Sequence, residues 1–176
     1  MVTAISRAGF LGRRFNAEDS AIRPPWATPE AYFTEHCSRD MACAEACPEK
    51  IIFKGRSGFP EISFSGGECT FCAACVTACT ADVLGPLLAR DGSRRRPWNL
   101  RLNISDNCLS AKGVVCRVCP ETCDARAIRF RHPAAHGKPI VDPGACSGCG
   151  ACVAYCPAGA ITLLPRRQYE PRIGAA

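Results

Sequence analysis

Cys69-Thr70-Phe71-Cys72-Ala73-Ala74-Cys75-Val76-Thr77-Ala78-Cys79 and Cys146-Ser147-Gly148-Cys149-Gly150-Ala151-Cys152-Val153-Ala154-Tyr155-Cys156 share one spacing, C-x2-C-x2-C-x3-C. A third group, Cys108, Cys116, Cys119 and Cys123, keeps the later intervals but places seven residues between its first two cysteines. A fourth group, Cys37, Cys43 and Cys47, keeps the first, third and fourth positions and carries Asp40 at the second. The four groups account for all 15 cysteines of the 176-residue chain.

The groups are an internal repeat. Asp40, Cys43 and Cys47 lie 76 residues before Cys116, Cys119 and Cys123, and Cys69 to Cys79 lie 77 before Cys146 to Cys156. Five residues after each last cysteine stands an apolar residue: Ile52, Leu84, Ile128 and Ile161. Gly58-Phe59-Pro60 is echoed by Gly137-Lys138-Pro139. The chain therefore reads as two copies of one unit, residues 33–84 and 105–165, with an extension at 1–32, a linker at 85–104 and a tail at 166–176. Gly85-Pro86 and Asp91-Gly92-Ser93 mark the linker.

Cysteine of this density has three common explanations: disulfides, zinc or iron–sulfur clusters. The number is odd, the N-terminus shows no apolar run of a secretory signal, and the thiols are bunched, so a disulfide framework is not expected. Zinc wants four ligands in two pairs. Complete runs of four with a C-x3-C end are the bacterial ferredoxin pattern, and its usual following proline is present at Pro157. A cubane needs a soft donor at each iron, and thiolate supplies it. Two intervening residues turn consecutive thiolates onto neighbouring irons of one cluster. The fourth, after three residues, points away along the next helical turn, and in two-cluster ferredoxins it ligates the other cluster.

Carried over, that rule gives four ligand sets: Cys37, Asp40, Cys43 and Cys79; Cys47, Cys69, Cys72 and Cys75; Cys108, Cys116, Cys119 and Cys156; and Cys123, Cys146, Cys149 and Cys152. The expected cofactors are four iron–sulfur clusters. Three are [4Fe-4S], and the first, at the Asp40 site, is either [4Fe-4S] or [3Fe-4S]. Asp40 has three readings: a hard, weak carboxylate ligand, no ligand beside a three-iron cluster, or a solvated side chain. His36, His132 and His136 read as surface residues or supports behind the ligands.

The expected fold class is α+β: two tandem bacterial ferredoxin-like units of small strand pairs and short helices. Ile51-Ile52-Phe53 with Glu61-Ile62-Ser63, and Ala127-Ile128-Arg129-Phe130 with Pro139-Ile140-Val141, read as strand pairs. Ala160-Ile161-Thr162-Leu163-Leu164 reads as an extra strand, and helical turns start within each cysteine run.

The formal net charge is +6. An oxidised cubane with four thiolates carries about −2, so four loaded sites bring the chain to about −1. No nucleic-acid partner is expected on that ground, and Arg94-Arg95-Arg96 reads as a solvated loop. No stretch approaches the ~20 apolar residues of a membrane span. Reduced thiols imply the cytoplasm. No phosphate loop, nucleophile triad or nicotinamide fingerprint stands out, so a non-enzymatic, one-electron role is expected.

Around these runs the chain resembles the NapF family, the ferredoxin-type accessory proteins of periplasmic nitrate reductase systems. The resemblance rests on the four-group layout, the long Cys108-to-Cys116 loop, Ser6-Arg7-Ala8-Gly9-Phe10-Leu11-Gly12, and above all Ile22-Arg23-Pro24-Pro25-Trp26. It implies a cytoplasmic protein that binds the precursor of the nitrate reductase catalytic subunit before export and helps it mature. Ser6–Gly12 also looks like a degenerate twin-arginine signal, with Ala8 in place of the second arginine and no apolar run after it, which points to retention. At Asp40 the family's run has a cysteine.

Units this small cannot bury a large apolar core, and the clusters replace it. Removing iron with a chelator under anaerobic conditions is therefore expected to unfold the chain. Circular dichroism that kept its folded form after iron loss would contradict this.

Overall fold

The chain was described from a computed structural model, which covers residues 21–131 and 137–166. The Ser6–Gly12 stretch, His132 and His136, and the tail from 167 lie outside the described residues. The elements are α1 (Glu30–His36), α2 (Ala42–Glu45), β1 (Ile52–Lys54), β2 (Pro60–Ile62), α3 (Ala74–Thr77), β3 (Leu100–Ile104), α4 (Val118–Glu121), β4 (Ile128–Arg129), β5 (Ile140–Val141), α5 (Ala151–Ala154) and β6 (Ile161–Pro165).

Each cysteine run makes one helical turn, α2 to α5, with the cysteine at the third position of the motif (Cys43, Cys75, Cys119 or Cys152) buried in it. Three of these turns open on a left-handed residue: Met41 (φ 65°), Ala73 (62°) and Gly150 (91°). Two residues earlier Arg39, Phe71 and Gly148 are left-handed as well, at 58°, 57° and 79°. A left-handed residue reverses the chain sharply, so side chains on both sides of it face one point. For a residue with a Cβ this conformation costs about 1–2 kcal/mol.

A further left-handed residue stands three positions after each last cysteine: Lys50, Asp82, Arg126 and Gly159, at φ 52°, 51°, 49° and 55°. The four groups thus share one backbone shape after the last cysteine. The apolar echo is explained too: Ile52, Leu84, Ile128 and Ile161 are all buried, as are the residues before them, Ile51, Val83, Ala127 and Ala160. Their turn drops two apolar side chains under each cysteine run.

The antiparallel pairs β1–β2 (Ile52 opposite Ile62) and β4–β5 (Ile128 opposite Val141) match the two strand pairs read from the sequence. Helix α2 packs on α3, and α4 on α5. The third pair differs from expectation. Residues 100–104, at the end of the stretch read as a linker, form β3 and pair antiparallel with β6, from Leu100 opposite Pro165 to Ile104 opposite Ile161. Leu100, Leu102 and Ile104 alternate with Arg101 and Asn103, a period-2 pattern whose partner lies 57 or more residues away. The larger core cluster runs through the first cysteine groups and includes Leu163 of β6, with Trp98, Leu100 and Leu102 packed against it.

Residues 22–27 are part of the core as well. Pro24 and Trp26 are buried. Ile62 N–H donates to Ile22 O (2.7 Å), and Trp26 N–H donates to Pro97 O (2.8 Å). The indole N–H of Trp26 reaches Arg95 O (3.1 Å), and that of Trp98 reaches Arg23 O (2.9 Å). Arg23 is buried with its guanidinium on the Glu30 carboxylate (2.6 Å) and over the Phe33 and Phe59 rings, 5.2 and 5.3 Å from their centroids. The Ile22–Trp26 stretch is an internal clamp between α1, β2 and residues 85–98.

Removing one member of a largely buried ion pair costs several kcal/mol because its partner loses its counter-charge. Arg23→Ala is expected to destabilise the loaded protein by about 2–4 kcal/mol. The check is the rate at which visible absorbance bleaches on anaerobic heating; a rate equal to the parent's would count against the clamp.

Candidate metal centres

The cysteine runs line three cavities. The first is lined by Cys37, Asp40, Cys43 and Cys79. The second is lined by Cys47, Cys69, Cys72 and Cys75. Another is lined by Cys123, Cys146, Cys149 and Cys152. In every case three positions come from one run and the fourth from the last cysteine of the neighbouring run. The remaining set, Cys108, Cys116, Cys119 and Cys156, is drawn together around Cys119, whose thiol feels the other three.

The apolar walls are the residues the fold places there. Ile51, Ile52, Ile62, Pro25 and Trp26 back the second cavity. Phe33, Val83 and Leu84 back the first, and Leu102, Ile128 and Leu163 the one around Cys149. Among the described residues no three His, Cys, Asp or Glu side chains converge on a point where a single ion would sit. The thiols surround a space instead, and four soft donors around a space fit a multi-iron group.

The electrostatics point the same way. Burial pushes the Cys75, Cys119 and Cys152 thiols up to about 12, and neighbouring cysteines add to the shift. Cys43 and Cys69 are pushed up to about 11, again chiefly by burial. Crowded thiols in an apolar cavity stay protonated at neutral pH unless a cation is present to hold the thiolates. Backbone N–H groups already point at sulfur: Phe71 to Cys69 Sγ (3.4 Å), Ala127 to Cys123 Sγ (3.3 Å) and Ala160 to Cys156 Sγ (3.3 Å). Such donors favour the anionic ligand and raise the potential of a bound cluster.

Asp40 lies at the rim of the first cavity, fully exposed. Its Oδ1 accepts from Ala42 N–H (3.0 Å), and its Oδ2 accepts from the Ser38 hydroxyl (2.9 Å) and the Thr80 hydroxyl (3.3 Å). The Ala42 bond, then the Ser38 bond, holds the carboxyl below its ordinary pKa, so it is ionised at neutral pH. Ser38 and Thr80 carry no motif, and the sequence reading passed over them.

His36 stacks on Tyr32 (centroids 3.9 Å apart), with Nδ1 3.0 Å from Tyr32 O. It is engaged with its own helix, in keeping with a surface residue. The arginine run is only partly a solvated loop. Arg94 is exposed. Arg95 donates to Gly85 O and Pro86 O (both 3.0 Å), and Arg96 donates to Gly144 O, close enough to Cys146 for its charge to oppose the upward push of burial on that thiol.

Comparison with known proteins locates the chain among such proteins. Residues 139–162 match the family described as 4Fe-4S binding domain (Fer4). The chain is 40% identical over 159 residues to the ferredoxin-type protein NapF of Escherichia coli K12, covering 89% of this chain and 93% of that one. NapF of Haemophilus influenzae is 42% identical over 150 residues, 85% and 82% of the two chains. The methylamine utilization ferredoxin-type protein MauM of Methylophilus methylotrophus is 31% identical over 164 residues, 84% and 72%. Short strands, single-turn helices and cysteine-lined cavities fit a ferredoxin-like fold, and the chain carries iron–sulfur clusters.

Asp40→Cys is expected to give the first cavity four thiol donors and a cluster that survives longer in air. If the parent holds a three-iron centre there, the variant gains about one iron per chain. Iron analysis and electron paramagnetic resonance of both proteins, prepared anaerobically, make the test. Identical iron content and spectra would remove Asp40 from the site.

Proposed function

The chain belongs to the NapF family of ferredoxin-type proteins, and on that premise we propose that it is a cytoplasmic iron–sulfur accessory protein that binds the precursor of the periplasmic nitrate reductase catalytic subunit and aids its maturation before export. In this reading it is not an enzyme. It holds four clusters in two tandem two-cluster units. Three are [4Fe-4S], ligated by Cys47, Cys69, Cys72 and Cys75; by Cys108, Cys116, Cys119 and Cys156; and by Cys123, Cys146, Cys149 and Cys152. The first, on Cys37, Cys43 and Cys79 with Asp40 at its rim, is [4Fe-4S] or [3Fe-4S].

The observation that carries the reading is the exchange of the last cysteine between neighbouring runs around each cavity. That exchange ties the two halves of each unit through their ligands, as in two-cluster ferredoxins. Among the described residues no helix is long and apolar enough to cross a membrane. The partner rests on the family alone. Most of the Ile22–Trp26 stretch that marks the family is buried, so its first role is to support the fold.

A second reading is favoured by the MauM likeness: a ferredoxin that passes single electrons to another oxidoreductase. The two separate in one experiment. The tagged, iron-loaded chain is expected to retain the unexported nitrate reductase precursor from cytoplasmic extract, and not the exported enzyme. A chain that ignored the precursor, yet accepted electrons from a cellular donor and passed them on, would establish the second reading in place of the first.

A further inference from the structure

The four ligand sets are not independent in space. Cys43 of the first set lies in α2 and Cys75 of the second in α3, and these two turns pack together. Cys119 of the third set lies in α4 and Cys152 of the fourth in α5, and these pack together likewise. Between the second set and the fourth there is a closer link. Cys69 N–H donates to Cys149 O at 2.7 Å. Cys69 lines the second cavity and Cys149 the cavity around Cys152. The path between their sulfurs is thus made of the two ligand residues' own covalent bonds and one hydrogen bond.

The surrounding residues press these two runs together. Gly150 follows Cys149, and an added Cβ there would lie 2.0 Å from Phe64 Cδ1. Its φ of 91° already strains any side chain, more than the 65° and 62° at which Met41 and Ala73 open α2 and α3. The Phe64 ring, which occupies the space, adds a steric bar. Trp98 seals the contact, edge-on to Phe64 (5.7 Å) and Phe71 (6.0 Å), with Gly148 also facing it.

We infer that the four sets form one electron-transfer line in the spatial order first, second, fourth, third, and that electrons cross between the two units at the Cys69–Cys149 hydrogen bond, with Gly150 and Phe64 as positioning residues. The inference rests on the reading that each set holds a cluster. The crossing is a one-electron exchange. A reduced centre on the second set loses one electron and is oxidised, and an oxidised centre on the fourth gains it. No bond is made or broken and no proton moves. An external one-electron reductant fills the line, and a one-electron acceptor empties it.

The test is magnetic, not catalytic. The loaded protein is fully reduced with titanium(III) citrate, and coupled spins are counted by pulsed dipolar electron paramagnetic resonance. At least three mutually coupled centres are expected. Two isolated pairs would overturn the inference, and that count on the parent decides even if a variant fails to fold. Gly150→Ala should weaken the coupling between units in the molecules that retain the parent's iron and sulfide content. Phe64→Ala combined with Gly150→Ala, which removes the obstructing ring, should restore it. Full coupling in Gly150→Ala at full iron content would also overturn the inference. Iron and sulfide below four clusters in the parent would instead count against the cluster reading beneath it.

Discussion

Several buried thiols facing one apolar volume cannot all ionise unless a cation holds them. That constraint underlies the rest of the molecule. The thiols sit where burial pushes them to about 11 or 12. Arg39, Met41, Phe71 and Ala73 adopt a left-handed backbone that no hydrogen-bonded sheet or long helix enforces. The helices that carry the cysteines are single turns, far below the length at which a helix stands alone. A multivalent cationic core in each cavity would offset these costs together, which is why ligand binding and folding are expected to be coupled.

Much of this was legible in the sequence, because local rules generate it. The cysteine spacing carries the groups that line the cavities, and the apolar residue five places on marks the packed side of each turn. The strand pairs follow from short β-branched runs around glycine. What was not legible depends on contacts between distant residues. The pattern of β3 is five residues long and sits among proline, arginine and glycine, and only β6 makes it a strand. Arg23 reads as a surface cation until Glu30, Phe33 and Phe59 are seen around it. Arg95 and Arg96 bond backbone carbonyls, which leave no trace in side-chain composition. Gly150 looks like one more flexible glycine in a loop, yet its role is steric and is set by a ring 86 positions away.

Asp40 illustrates how one substitution can be absorbed locally. The carboxylate gathers Ala42 N–H, Ser38 and Thr80, and the bond to Ala42 braces the opening of α2, which otherwise has no side-chain cap. The run can therefore keep its shape with three cysteines. A carboxylate is a harder donor than sulfur, so an iron beside it would be held less firmly than one on thiolate alone.

The β3–β6 ladder has a consequence for synthesis. Its two strands are separated by the 56 residues between Ile104 and Ile161, and Leu163 of the later strand completes the larger core around the first cysteine groups. At about 5–20 residues per second, a ribosome takes roughly 3–11 s to make that interval. Throughout it the earlier cysteines are already outside or leaving the exit tunnel, with one wall of their core missing. The newborn chain therefore passes through a stage in which the core around its first cysteine groups lacks Leu163, and the last strand completes it.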